Sequence, residues 1–205
     1  MKVGGPRSTS QPQSGRRARG TLNTDTIVAA AFALAAESSV EDLTIPLVAE
    51  SLGVGVTSIY WHVRNKTELL DAMTDRALRR SELPAFVGSA DWRESLMTHA
   101  RGVRRAFLDD PVLTDLILIR GALSPLARRL GAQEMDKAIT SMVEAGLDRN
   151  RAADVYSAVS ALVRGSVLLA RLEQKHGASA AALSQDDRAF ELLLTSLFTE
   201  TGLPA

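Results

Sequence analysis

From residue 23 onward, apolar side chains recur at intervals of three and four, and no stretch alternates apolar with polar residues as a half-buried strand does. That pattern leaves helix packed on helix as the way to bury hydrophobic surface. The start signals agree. Asn23 and Thr24, then Asp25, precede a face of Ile27, Ala31 and Leu34. Asn65 and Glu68 have capping-box spacing ahead of Leu69, Leu70, Met73 and Ala77, and Asp91 with Glu94 repeats it ahead of Leu96, Ala100, Val103 and Phe107. Pro111 and Pro125 follow Asp110 and Ser124 at first helical positions, where the missing amide has no partner to lose. The helix opened by Ser124 runs to Ala145 and stops at Gly146. Asp148 then caps a segment reaching about Lys175, roughly 40 Å long, with Gly177 beyond it. The last helix starts near Gln185 and carries Phe190, Leu193, Leu194, Leu197 and Phe198 on one stripe. The expected fold is all-α, with about nine helices: a three-helix N-terminal head and a C-terminal bundle.

Charge divides the chain further. Its 205 residues suit one or two domains, and 45% hydrophobic with 23% charged residues is enough for a sizeable core. Lysines plus arginines equal aspartates plus glutamates at 24 each. Residues 1–22 nevertheless hold Lys2, Arg7, Arg16, Arg17 and Arg19 and no acid, so +5 there leaves −5 for residues 23–205. With almost no large apolar side chain, residues 1–22 read as a disordered basic arm. The head then spans 23–70, a linker helix 67–80, and the body 81–205.

Several chemistries drop out. No cysteine means no disulfide scaffold, thiolate zinc site or thiol nucleophile. His62, His99 and His176 are far apart, and no pair has a helical ligand spacing, so no metal and no cofactor are expected. His176 at a helix end suits the dipole. No run approaches 18 consecutive apolar residues and the N-terminus lacks a signal-like apolar stretch, so no membrane span is expected and the cytoplasm is the expected location.

The informative segment is 43–66. Thr44 can cap one short helix with Pro46 in its first turn; Val48, Ala49, Leu52, Val54 and Ile59 supply an inner face, and Gly53 sits where the chain must turn sharply. That is helix-turn-helix spacing, whose second helix lies in a DNA major groove. Ile59 and Val63, four apart, should face inward, leaving Thr57, Ser58, Tyr60 and Trp61 outward. Hydroxyls bond base edges or phosphates, and the Val56 side chain or the Thr57 methyl can pack on a thymine methyl. Lys66, at the start of the next helix, suits a phosphate. A helical hairpin packed inside a bundle is the plainer reading; the outward Tyr60-Trp61 pair argues against it.

Leu52-Gly53-Val54, the run Ile59-Tyr60-Trp61-His62-Val63-Arg64-Asn65-Lys66 and then Leu69-Leu70-Asp71-Ala72 resemble the DNA-binding head of the TetR family, in particular its tetracycline repressors. Asp110-Pro111-Val112, Ser124-Pro125 and Glu144-Ala145-Gly146-Leu147 resemble that subgroup's regulatory domain more weakly. The resemblance implies a homodimeric regulator, usually a repressor, that binds double-stranded operator DNA and holds a small-molecule effector in its C-terminal bundle. By position, Thr44, Thr57, Ser58, Tyr60, His62 and Lys66 match DNA-contacting residues, with Tyr60, His62 and Lys66 on phosphates and the reading of bases left to Val56, Thr57 and Ser58. Two positions depart: Val56-Thr57 stands where those repressors have Gln-Pro, and Pro46 where they have arginine. The operator must therefore differ. The position that would supply a drug-binding histidine lies near Glu82, so tetracycline is not the expected effector.

Two cations, Arg64 and Lys66, face six acids within residues 23–70, a net −4. Duplex affinity comes largely from neutralised phosphates. Arg16, Arg17 and Arg19 are therefore expected to lie on the DNA as an arm, in the minor groove; a solubilising tail is the alternative, and deletion of residues 1–20 separates them by the salt dependence of binding.

In the body, His99, Phe107, Leu116, Arg120, Met135, Ile139, Met142 and Tyr156 are candidates for the effector pocket, although stripes of this kind equally suit plain core. Ser157, Ala161 and Gly165 lie four apart on the long helix and would admit a close neighbour; with Phe190, Leu194, Leu197 and Phe198 of the last helix they are the expected dimer interface, as a four-helix core. The function expected is a ligand-responsive homodimeric repressor. A regulator controlled by a protein partner is the alternative, and a helical enzyme with an appended head the weakest reading, because the chain has no Gly-rich phosphate loop and no clustered histidines with carboxylates.

Overall fold

The computed structural model describes residues 22–120, 124–176 and 187–199. Among them are nine α-helices and no strand. They are α1 (Thr24–Glu37), α2 (Ile45–Leu52), α3 (Val56–Tyr60), α4 (Lys66–Arg80), α5 (Trp92–Asp109), α6 (Pro111–Thr114), α7 (Pro125–Glu144), α8 (Arg149–His176) and α9 (Asp187–Thr199). The cap signals operate as local chemistry dictates. Asn23 Oδ1 accepts from Thr26 N at 2.8 Å, and Thr26 Oγ1 accepts in return from Asn23 N. Asn65, Asp91, Asp110 and Ser124 each accept the amide three residues on. Asp148 accepts from Asn150 and Arg151.

One feature goes beyond the sequence pattern. Pro111 opens only one α-turn, which passes at once into a π-helical turn over Asp115–Ile119. The expected start of the last helix, near Gln185, lies outside the described residues, as does Gly177; α9 is described from Asp187.

α8 carries the stripe Ala152, Val155, Val159, Val163, Val167 and Ala170, all buried, and packs against α5, α7 and α9. By length and composition alone its stretch Arg149–Gln174 could cross a membrane. The stretch is broken by charged residues, so it holds no uninterrupted apolar run of that length. That buried stripe marks a core helix of a packed bundle.

Apolar side chains gather in two cores. One unites Trp92, Leu96, Ile139, Met142 and Val159 with Phe190 and Leu194. The other fills the head with Ile27, Val48, Ile59, Leu69 and Met73, and takes in Phe107, Leu113, Leu116 and Val167 from the body. The head thus shares its core with the bundle. Shortening Ile59, which is fully buried, to alanine would cost about 2–5 kcal/mol.

Candidate nucleic-acid interface

The turn between α2 and α3 rests on Gly53, at φ 64°, ψ 33°, in the left-handed region. Its amide donates to Glu50 O and the Val54 amide to Ala49 O, both at 3.0 Å, closing the end of α2. The α3 helix is a short piece ending at Tyr60; the His62 and Val63 amides both return to Ile59 O. That tight turn buries Ile59 and Val63 and turns their neighbours outward. Trp61 is 84% exposed and Tyr60 48%, with Thr57 and His62 exposed beside them.

The other head residues occupy varied places. Thr44 is exposed, and its hydroxyl already caps α2 by accepting from Leu47 N at 3.2 Å. Ser58 is half-buried. Val56 is half-buried, with part of its side chain packed against the head core one turn before Ile59. Lys66 donates to the backbone carbonyl of Glu41. Arg76 of α4 donates to Asp25 O at 2.8 Å, fastening α4 to α1. Arg16, Arg17 and Arg19 lie outside the described residues.

The eight effector candidates do not converge. Phe107 and Leu116 are buried in the head-side core, Ile139 and Met142 in the other, and Met135 is exposed on α7. His99, Arg120 and Tyr156 are half-buried. His99 Nδ1 and Arg120 Nε are buried nitrogens without a hydrogen-bond partner among the described residues. Burial holds His99 below its ordinary value against the nearby Glu134 carboxylate, and burial raises the Tyr156 phenol. A cleft of about 700 Å³ instead opens where head meets body, between Phe32, Arg80, Pro84, Arg105 and Leu113, and a second of about 610 Å³ lies between Phe86 and α7. Neither is lined by any of the eight.

The interface candidates also divide. Ser157 and Ala161 are exposed and Gly165 is half-buried with open space at its Cβ position. Phe190 and Leu194 are buried within their own protomer, Phe190 under the Arg104 guanidinium at 4.6 Å. Leu197 and Phe198 are half-buried, Phe198 edge-on to Trp92. Sequence reasoning missed the exposed Leu169 and Leu172 of α8 and Leu192 of α9, since an apolar stripe does not say which of its sides the chain itself covers. The side chain of His176, the last residue of α8, lies outside the described residues.

Residues 27–73 match the model of the bacterial regulatory proteins, tetR family, and residues 72–201 that of the tetracyclin repressor-like C-terminal domain. The chain belongs to the TetR family. An HTH-type transcriptional repressor of Mycobacterium tuberculosis is 55% identical over 161 residues, covering 78% of this chain and 62% of the relative. The chain thus spans under two thirds of the length of this relative and of two others of the same identity. Among solved structures, a TetR variant of Acinetobacter baumannii AYE in complex with minocycline superposes with TM-score 0.65 at 30% identity, covering 86% of this chain and 94% of that one. ActR of Streptomyces coelicolor in complex with actinorhodin gives 0.64 at 26%, covering 87% and 94%. Both confirm the all-α TetR-family fold.

Proposed function

We propose that this protein is a cytoplasmic, homodimeric transcriptional repressor that holds a pseudo-palindromic operator through α2 and α3 and releases it on binding a small-molecule effector. The observation that carries the reading is the exposed face Thr57, Tyr60, Trp61 and His62, held rigid by Ile59 and Val63 behind it. An aromatic pair turned to solvent at the tip of a head is surface kept for a partner. Tyr60, His62 and Lys66 position the head on phosphates, while Thr57 and Ser58 read base edges. The basic arm adds Arg16, Arg17 and Arg19, because the described head is acid-rich.

The dimer supports two heads one helical turn apart. Its surface is the outer side of α8 and α9, where Ser157 and Ala161 admit close approach and Leu169, Leu172, Leu192 and Leu193 stand exposed. The effector lies in the body, with His99 as its polar anchor, since its buried Nδ1 is kept for an incoming group. The ligands named with the two solved relatives make minocycline and actinorhodin the first probes.

A footprint on the DNA flanking its own gene at moderate salt tests the reading. Protection of a short pseudo-palindrome, lost on adding a probe or a screened effector, is the expected result. Absence of binding to any duplex at low salt sinks it.

A further inference from the structure

Against the shared head-side core lies a buried charged pair. Asp115, the first residue of the π-helical turn, has a side chain only 1% exposed. It accepts two hydrogen bonds from Arg171 of α8, Nε to Oδ1 at 3.0 Å and Nη2 to Oδ2 at 2.9 Å. A two-pronged arginine fork fixes direction as well as distance. A carboxylate this deeply buried depends on its partner.

The surroundings tie this fork to the head. Leu113 and Leu116 flank Asp115 in sequence, Val167 lies one turn before Arg171, and all three pack with Ile27, Ile59, Leu69 and Met73 of the head. The Arg171 guanidinium is held above its ordinary value first by its hydrogen bond to Asp115, and the Glu41 carboxylate of the α1–α2 loop adds to that. The carbonyl of Glu41 in turn receives Lys66 at the start of α4. π-helical geometry is rare and concentrates at functional places. Here it stands between α6 and the Asp115–Arg171 fork, with Leu116 in the head-side core.

We infer that Arg171 is a positioning residue for operator binding: its fork on Asp115 locks the π-helical turn against α8 and so sets the angle at which the head stands on the body. In a dimer that angle becomes the distance between the two α3 helices, which operator half-sites must match. The inference rests on reading the chain as a dimeric operator binder. The fork acts on the head through the π-helical turn, which packs against α4, and adds to the side-chain ties of Arg120 to Asp71 and of Ser124 to Asp75 of α4.

The test titrates the footprinted operator, and versions with half-site spacing changed by one base pair either way, with wild type, Arg171→Lys and Arg171→Met. Wild type is expected to prefer the native spacing at least tenfold. Arg171→Met should lose at least tenfold on that spacing and discriminate less than threefold among the three, with Arg171→Lys between. If Arg171→Met does not fold, the double variant Asp115→Leu/Arg171→Met, which replaces the pair by apolar side chains, is expected to show the same relaxed spacing. A pair that only supports the fold would lower the Tm while leaving affinity and spacing preference within threefold of wild type, and that result overturns the inference. Wild-type protein that binds no duplex overturns the operator reading, and this inference with it.

Discussion

Lys66 Nζ reaches across to the backbone carbonyl of Glu41, so the first residue of α4 is tied to the loop between α1 and α2. An ammonium has three donors, and one carbonyl leaves two for a phosphate. Lys66 therefore both braces the head and meets the DNA backbone. Lys66→Met should weaken binding about equally on all duplexes and reduce the slope of log K against log salt by about 2, one for each protomer of the dimer. A lower Tm with an unchanged slope would confine Lys66 to bracing.

Trp61 and Trp92 are the only tryptophans, and they occupy opposite environments, one almost fully exposed and the other buried in the body core. Acrylamide should quench the Trp61 share of the emission in free protein, and operator DNA should protect it. Trp61→Phe should abolish that protection with a Tm within about 1 °C of wild type, since exposed substitutions usually stay within about 0.5 kcal/mol. Quenching that operator DNA leaves unchanged would place Trp61 outside the interface.

At Gly53 nothing lies within 4 Å of where a Cβ would stand, so the cost of Gly53→Ala is backbone strain alone. A left-handed φ of 64° costs an L-residue about 1 kcal/mol, or about 2–4 °C in Tm for a chain of this length. Thermal unfolding measures it. An unchanged Tm would mean that the turn relaxes.

What the sequence made legible was local. Asn23, Asn65, Asp91, Asp110 and Ser124 bond amides two or three residues away, so spacing alone identifies them as caps. Tyr60 and Trp61 could be placed outward because Ile59 and Val63, four apart, claim the inner side. What stayed hidden depends on distant partners. Asp115 reads as an ordinary polar residue until Arg171, 56 positions later, is brought beside it. Phe190 and Leu194 carry an interface-like stripe, yet α5 and α8 of the same protomer cover them. Periodicity reports that a face is apolar; it does not report what lies against it.

Burial makes the neutral form of His99 the favoured one in the folded protein, lowering its pKa from the ordinary 6.5. The unfolded chain takes up a proton as pH falls through 6.5, while the folded chain resists until its own lower value. Stability should therefore fall as pH drops below about 6.5, by at most about 1.4 kcal/mol per pH unit from this one group. His99→Phe should remove that component, so the Tm difference between wild type and variant narrows or inverts from pH 7.5 to 5.5. Parallel pH profiles would show that His99 does not titrate differently in the two states.

Leu192 and Leu193 of α9 are 68% and 54% exposed, whereas Phe190 and Leu194 beside them are buried. One helix thus presents its own core on one side and unclaimed leucines on the other. A charge on the unclaimed side should break a dimer without unfolding the protomer, because more than half of Leu193 is left uncovered by the described residues. Leu193→Asp is expected to sediment as a monomer with a helical circular dichroism signal like that of wild type, and to lose at least tenfold in operator affinity. Phe190→Ala should act by the other route, lowering stability by about 3–5 kcal/mol. If Leu193→Asp stays dimeric and binds its operator normally, the dimer surface lies away from this side of α9, and the exposed leucines of α8 become the place to look.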